Sequence, residues 1–151
     1  MKYIYSFLTA FVFFFSVCDF SIAQNLWEPS GIDGGKTNTI VKVTDNIFLA
    51  GHVGGGLFRS TDGGENWISQ SSSGSNNAYM HVAFSDFNNG LVVSEGGKIV
   101  RTTDGGASWS SQFLGSRQWY GVSFSSQNNA VIVGGDGSIS KTTDGGITWV
   151  N

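Results

Sequence analysis

The 151-residue chain carries a formal charge of −3 and a single cysteine, Cys18. That mild acidity argues against the basic face that nucleic acid requires, and one thiol cannot build a disulfide framework. With 22 glycines, one proline and 40% hydrophobic residues, the composition is that of a turn-dense all-β protein rather than a disordered chain.

The N-terminus is a targeting segment. Lys2 precedes a phenylalanine-rich apolar run from Ile4 to Val17, followed by Ser21-Ile22-Ala23 with small residues at its first and third positions. This pattern predicts a secretory signal peptide over residues 1–23, cleaved after Ala23. The run is short for a membrane anchor, which needs about 20 apolar residues, so no stable span is expected once it is removed. Cleavage also removes Cys18 and leaves no thiol. Acylation at Cys18 is the alternative, and the Phe15-Ser16-Val17 before it is a poor match to lipoprotein processing. The expected destination is outside the cytoplasm: secreted, periplasmic or at a bacterial cell surface.

From residue 24 onward the chain repeats itself. A phrase of the form Ser/Thr-x-Asp-x-Gly-x-x-Trp occurs at Ser60–Trp67, Thr102–Trp109 and Thr142–Trp149, with its aspartates 42 and then 40 residues apart. Each phrase follows the same series of segments. First comes an alternating pair (Val41 and Val43, Val82 and Phe84, Val122 and Phe124), then an Asn-containing turn. Next is an apolar run (Ile47–Ala50, Leu91–Val93, Ala130–Val133), then a Gly-containing turn leading to Arg59, Arg101 or Lys141. Alternation predicts a half-buried strand, and a continuous apolar run predicts a strand buried on both faces. The third strand carries the basic residue and the fourth opens at the tryptophan.

Four antiparallel strands in about 40 residues make one β-propeller blade. Trp27, Trp67, Trp109 and Trp149 keep the period, which divides residues 24–151 into repeats of approximately 27–66, 67–108 and 109–148. Only Trp119 falls outside it. Propellers usually close with four to eight blades. Three units therefore suggest part of a longer protein, with self-association to complete a ring as the alternative.

The phrase resembles the Asp-box, or BNR repeat, of sialidases, sortilin-type receptors, xyloglucan-degrading glucanases and photosystem II assembly and stability factors. The stretch from Asn128 to Gly146 is most similar to a blade of the last group. The resemblance covers essentially all of residues 24–151. It implies fold strongly and activity weakly.

Chemistry points to a structural role for the box. Gly64, Gly106 and Gly146 suit a hairpin that needs positive φ. Asp62, Asp104 and Asp144 can accept hydrogen bonds from backbone N–H groups of the turn. Trp67, Trp109 and Trp149 can staple the last strand to its blade. Identical residues on successive blades should lie too far apart to converge on one metal or one bond.

The catalytic inventory is thin. His52 and His81 lack metal-ligand spacing, no Gly-x-Ser-x-Gly elbow or phosphate loop occurs, and no pair of acids is singled out for glycoside cleavage. No catalytic residue, metal or cofactor is expected.

Binding is expected on the variable connections Ser30–Asn38, Gln70–Tyr79 and Gln112–Tyr120. Arg117, Trp119 and Tyr120 form a hot-spot-like cluster, with Tyr79 aligned to Trp119 one repeat earlier. The bland alternative is that Tyr79 and Trp119 plug the space between blades. The reading is an exported, non-enzymatic scaffold for a protein or glycan partner. Its alternative is a piece of a glycan-active enzyme whose catalytic residues lie elsewhere.

Overall fold

The computed structural model describes residues 36–54, 56–70 and 78–151. The signal peptide, Cys18, Trp27 and much of two predicted binding connections, Ser30–Asn38 and Gln70–Tyr79, lie outside the described residues.

The described chain forms three antiparallel sheets in sequence. The first holds β1 (Thr37–Lys42), β2 (Phe48–His52), β3 (Gly56–Ser60) and β4 (Ile68–Ser69). The second holds β5 (Tyr79–Phe84), β6 (Gly90–Ser94), β7 (Lys98–Thr102) and β8 (Ser110–Phe113). The third holds β9 (Trp119–Phe124), β10 (Ala130–Gly134) and β11 (Ile139–Thr142), and a bridge from Lys141 to Val150 stands where a fourth strand begins. These are β-propeller blades, and the strand order inside each follows chain order. Hydrogen bonding joins the strand after each tryptophan to the three strands before it, so the sheets are out of phase with units counted from tryptophan to tryptophan.

Equivalent positions follow from the register. Leu49 pairs with Arg59 in the first sheet, Leu91 with Arg101 in the second and Val131 with Lys141 in the third. These residues point forward, toward the next sheet. Residues one step along each strand point backward, as strand alternation requires.

The core lies between sheets. One cluster joins Leu49 and Leu57 of the first sheet to Tyr79, Val82, Val92, Val100 and Trp109. The next joins Leu91, Val93 and Ile99 of the second sheet to Trp119, Val122, Ala130 and Ile132. Each fully buried Leu, Val or Ile side chain contributes about 1.5–3 kcal/mol relative to exposure.

The middle strands separate the covered sheets from the uncovered one. Along β6 every residue is buried, as its unbroken apolar sequence predicts. Along β10 burial alternates instead. Ala130 and Ile132 are buried against the second sheet, while Val131 and Val133 are 38% and 45% exposed. The apolar run predicts burial on both faces there, and among the described residues only the backward face is covered.

Candidate functional site

The three Asp-boxes share one hydrogen-bond pattern. In the first, the Ser60 hydroxyl donates to Asp62 Oδ1 at 2.7 Å and accepts from the Gly64 N–H at 2.8 Å. Asp62 Oδ1 then accepts the Asn66 N–H at 2.9 Å, and Oδ2 accepts the Asn66 amide at 2.8 Å. Thr102 and Asp104 repeat this with Gly106 and Ser108, and Thr142 and Asp144 with Gly146 and Thr148. The hydroxyl is fixed by accepting from the turn, so it must donate to the carboxylate. This satisfies turn N–H groups that would otherwise cost about 1–3 kcal/mol each if buried unpaired.

These hydrogen bonds hold the carboxylates in their charged form. The Asn66 N–H, the Asn66 amide and the Ser60 hydroxyl lower Asp62 to a pKa of about 2. The Thr148 hydroxyl and N–H, with the Thr142 hydroxyl, hold Asp144 well below the usual carboxylate range. At Asp104 desolvation pushes upward, but donors from Ser108 and Thr102 outweigh it and the net direction is down. Such carboxylates are committed acceptors and make poor proton donors at neutral pH.

Two of the three box tryptophans close their own turns. Trp67 Nε1 donates to the Gly64 carbonyl at 3.0 Å, and Trp109 Nε1 to that of Gly106 at 3.1 Å. Trp149 sits against the second inter-sheet cluster, and the Gly146 carbonyl accepts instead from Gln112 of the preceding sheet at 2.5 Å.

The boxes also connect the sheets. Arg59 Nε of the first sheet donates to the Gly105 carbonyl of the second at 3.1 Å. Arg101 Nε of the second donates to the Gly145 carbonyl of the third at 2.8 Å. A Cβ at Gly106 would lie 2.9 Å from Leu49 Cδ1, and one at Gly146 would lie 2.7 Å from Leu91 Cδ2, both leucines belonging to the preceding sheet. The second and third boxes are thus each seated on the sheet before them. Two of the repeated basic residues, Arg59 and Arg101, read from sequence only as part of the frame, are the cross-links.

The predicted binding cluster divides. Tyr79 and Trp119 are fully buried, each in an inter-sheet cluster, so they fill the space between sheets. Arg117 and Tyr120 are exposed. They line an open groove of about 460 Å³ with Ser116, Gln118, Gly135 and Asp136. The Tyr120 hydroxyl donates to Gln118 Oε1.

The groove's floor is fixed by backbone contact. The Gly135 N–H donates to the Gln118 carbonyl at 2.9 Å, tying the β10–β11 turn to the segment leading into β9. At Gly134 a Cβ would lie 2.2 Å from that carbonyl, so only glycine permits the approach. Asp136 has φ of +56°, in the left-handed region, within the one-turn helix Gly135–Gly137. Its place in the groove was hidden in a glycine-rich turn. Among the described residues, no three of His, Cys, Asp and Glu come together as a metal site would require.

No family model matches this chain, and no curated protein does. Solved structures do. A structure titled YCF48 bound to D1 peptide superposes with a TM-score of 0.68 at 24% identity, over 77% of this chain and 39% of that one. YCF48 from Cyanidioschyzon merolae gives 0.66 at 25% identity, over 77% and 36%. An ancestral GH74 enzyme gives 0.67 at 18% identity, over 76% of this chain and 18% of its own. The chain therefore spans about two-fifths of the YCF48 structures it matches. The likeness is to YCF48-type β-propellers, with GH74 enzymes sharing the fold.

Proposed function

We propose that this YCF48-like propeller segment is an exported, non-enzymatic scaffold that binds a protein partner, with an extended peptide seated in the groove at Arg117, Tyr120 and Asp136. The groove is the observation that carries this reading. It offers a guanidinium, a carboxylate, an aromatic ring and an amide side chain on a floor fixed by backbone hydrogen bonding. Such a mixed set of donors and acceptors suits peptide main chain and charged side chains. Arg and Tyr are enriched among residues that dominate binding energy. The YCF48 structure bound to a D1 peptide supplies a precedent for a peptide on this fold.

The second reading, a piece of a glycan-active enzyme, draws on the GH74 neighbours. The described groove holds one carboxylate, Asp136, whereas glycosidases typically act with two.

The test is a peptide-display selection on the immobilised protein, followed by affinity measurement for the enriched sequences. Binding is expected to weaken at least about ten-fold in Arg117→Ala and in Tyr120→Ala, equivalent to about 1.4 kcal/mol. Unchanged affinity in both variants would remove the groove from the account. Cleavage of xyloglucan by the wild-type protein would favour the enzyme reading.

A further inference from the structure

We propose that Asp136 selects a basic side chain, lysine or arginine, in the peptide that the groove receives, an inference that rests on the groove being a peptide site. Asp136 stands where the other sheets carry glycine. Trp119 pairs with Gly134, Tyr79 with Ser94 and Thr37 with His52, which makes Asp136, Gly96 and Gly54 equivalent. All three have positive φ, at +56°, +80° and +73°. Glycine takes that conformation at little steric cost, whereas a Cβ is strained there. Among the described residues Asp136 is the one non-glycine with positive φ. The third sheet therefore sets a carboxylate on a turn that the repeat otherwise builds without a side chain.

That carboxylate has no hydrogen-bond or ion-pair partner among the described residues. The other described aspartates are all engaged. Asp45 pairs with Lys42 at 2.6 Å, Asp86 accepts the Asn88 N–H at 2.8 Å, and Asp62, Asp104 and Asp144 hold their boxes. Arg117 lines the same groove and is not paired with Asp136, so two opposite charges are both left to a ligand. The Tyr120 ring lies along the same turn, where a Cβ on Gly135 would meet its Cε2 at 3.8 Å. A carboxylate beside an aromatic ring suits lysine or arginine, whose apolar stem lies on the ring while the charge meets the acid.

The neighbouring sheet shows that this position stays open when a connection crosses its turn. In the second sheet the segment leaving β8 passes over the one-turn helix Glu95–Gly97, with the Leu114 N–H donating to the Gly97 carbonyl at 2.9 Å. A Cβ on Gly97 would lie 1.9 Å from the Gly115 carbonyl oxygen. Gly96, the equivalent of Asp136, is nevertheless exposed.

The test is a selection of random linear peptides on the immobilised protein, followed by affinity measurement for the enriched sequences and for copies with each basic residue replaced by glutamine. Enriched peptides are expected to share a lysine or arginine at one position. Their affinity should fall about three- to five-fold in Asp136→Gly, as for an exposed ion pair, and further in Asp136→Lys. The glutamine copies should bind wild type and Asp136→Gly alike. Asp136→Gly installs the residue the other two sheets use here, so its circular dichroism should match wild type. Enriched peptides without a shared basic residue would overturn the inference. So would an Asp136→Gly loss that is the same for the glutamine copies, which would assign the aspartate to the turn. If Arg117→Ala and Tyr120→Ala weaken binding while Asp136→Gly and Asp136→Lys do not, the selection by Asp136 falls and the peptide site stands. If none of the four variants changes affinity, or no peptide is enriched, both fall.

Discussion

The first Asp-box and the third are chemically the same turn in different surroundings. Both hold an aspartate by two hydroxyl- or amide-bearing neighbours, and both use glycine at positive φ. The third is pressed against Leu91 and bonded by Arg101 of the preceding sheet, while the first meets no equivalent among the described residues. The motif therefore does two separable things. It satisfies its own hairpin, which is local, and it offers a carbonyl and a gap to the neighbouring sheet, which is not.

Glycine substitutions separate the two roles most strongly. Gly146→Ala adds a methyl group 2.7 Å from Leu91 Cδ2 at a φ of +91°. The expected loss is about 2–4 kcal/mol, from backbone strain and overpacking together. Gly64→Ala at φ of +98° has no such contact, and strain alone should cost about 1–2 kcal/mol. Denaturant unfolding of both variants checks the difference. Equal losses would mean that seating on the preceding sheet contributes nothing.

The arginine link should matter less. Arg101→Ala removes a charged donor from the Gly145 carbonyl at 2.8 Å, with an expected loss of about 1.5–3 kcal/mol. Arg117→Ala, on an exposed groove residue, should stay within about 0.5 kcal/mol in the same assay. A comparable loss at Arg117 would contradict the division between joint and groove.

The smallest contrast is in acid. The folded pKa of Asp62 is about 2 against an ordinary 3.8, and Asp144 is lowered as well. Groups depressed in the folded state stabilise it fully above the unfolded pKa and lose that contribution as pH falls toward the folded value. The thermal midpoint should therefore be flat with respect to these groups above about pH 5 and decline as the pH falls toward 2. Asp144→Asn should flatten part of the acid limb. An unchanged acid limb would show that the box carboxylate is not held in its charged form.

The hairpin half of the box was legible because it is local. Ser60, Asp62, Gly64 and Asn66 meet within one turn, so their spacing carries their geometry. The joint was only half legible. Arg59 and Gly105 lie 46 residues apart, and only the recurrence of a basic residue in each repeat hinted at a shared task. At the groove, composition marked the right segment and could not choose between neighbours. Trp119 and Tyr120 are adjacent on β9 and point to opposite faces, so one is buried and the other lines the groove. Asp136 was missed as a groove residue because a Gly-Asp-Gly turn reads as punctuation, not as a site.

The most direct test of the box as an inter-sheet joint is a double-mutant cycle of Leu91→Ala with Gly146→Ala, followed by equilibrium unfolding. Shortening Leu91 removes the atoms that the new methyl group would strike, so the two losses should fall short of additive by about 1 kcal/mol or more. Losses that add within about 0.5 kcal/mol would show that the two residues do not touch and that the boxes serve their own hairpins alone.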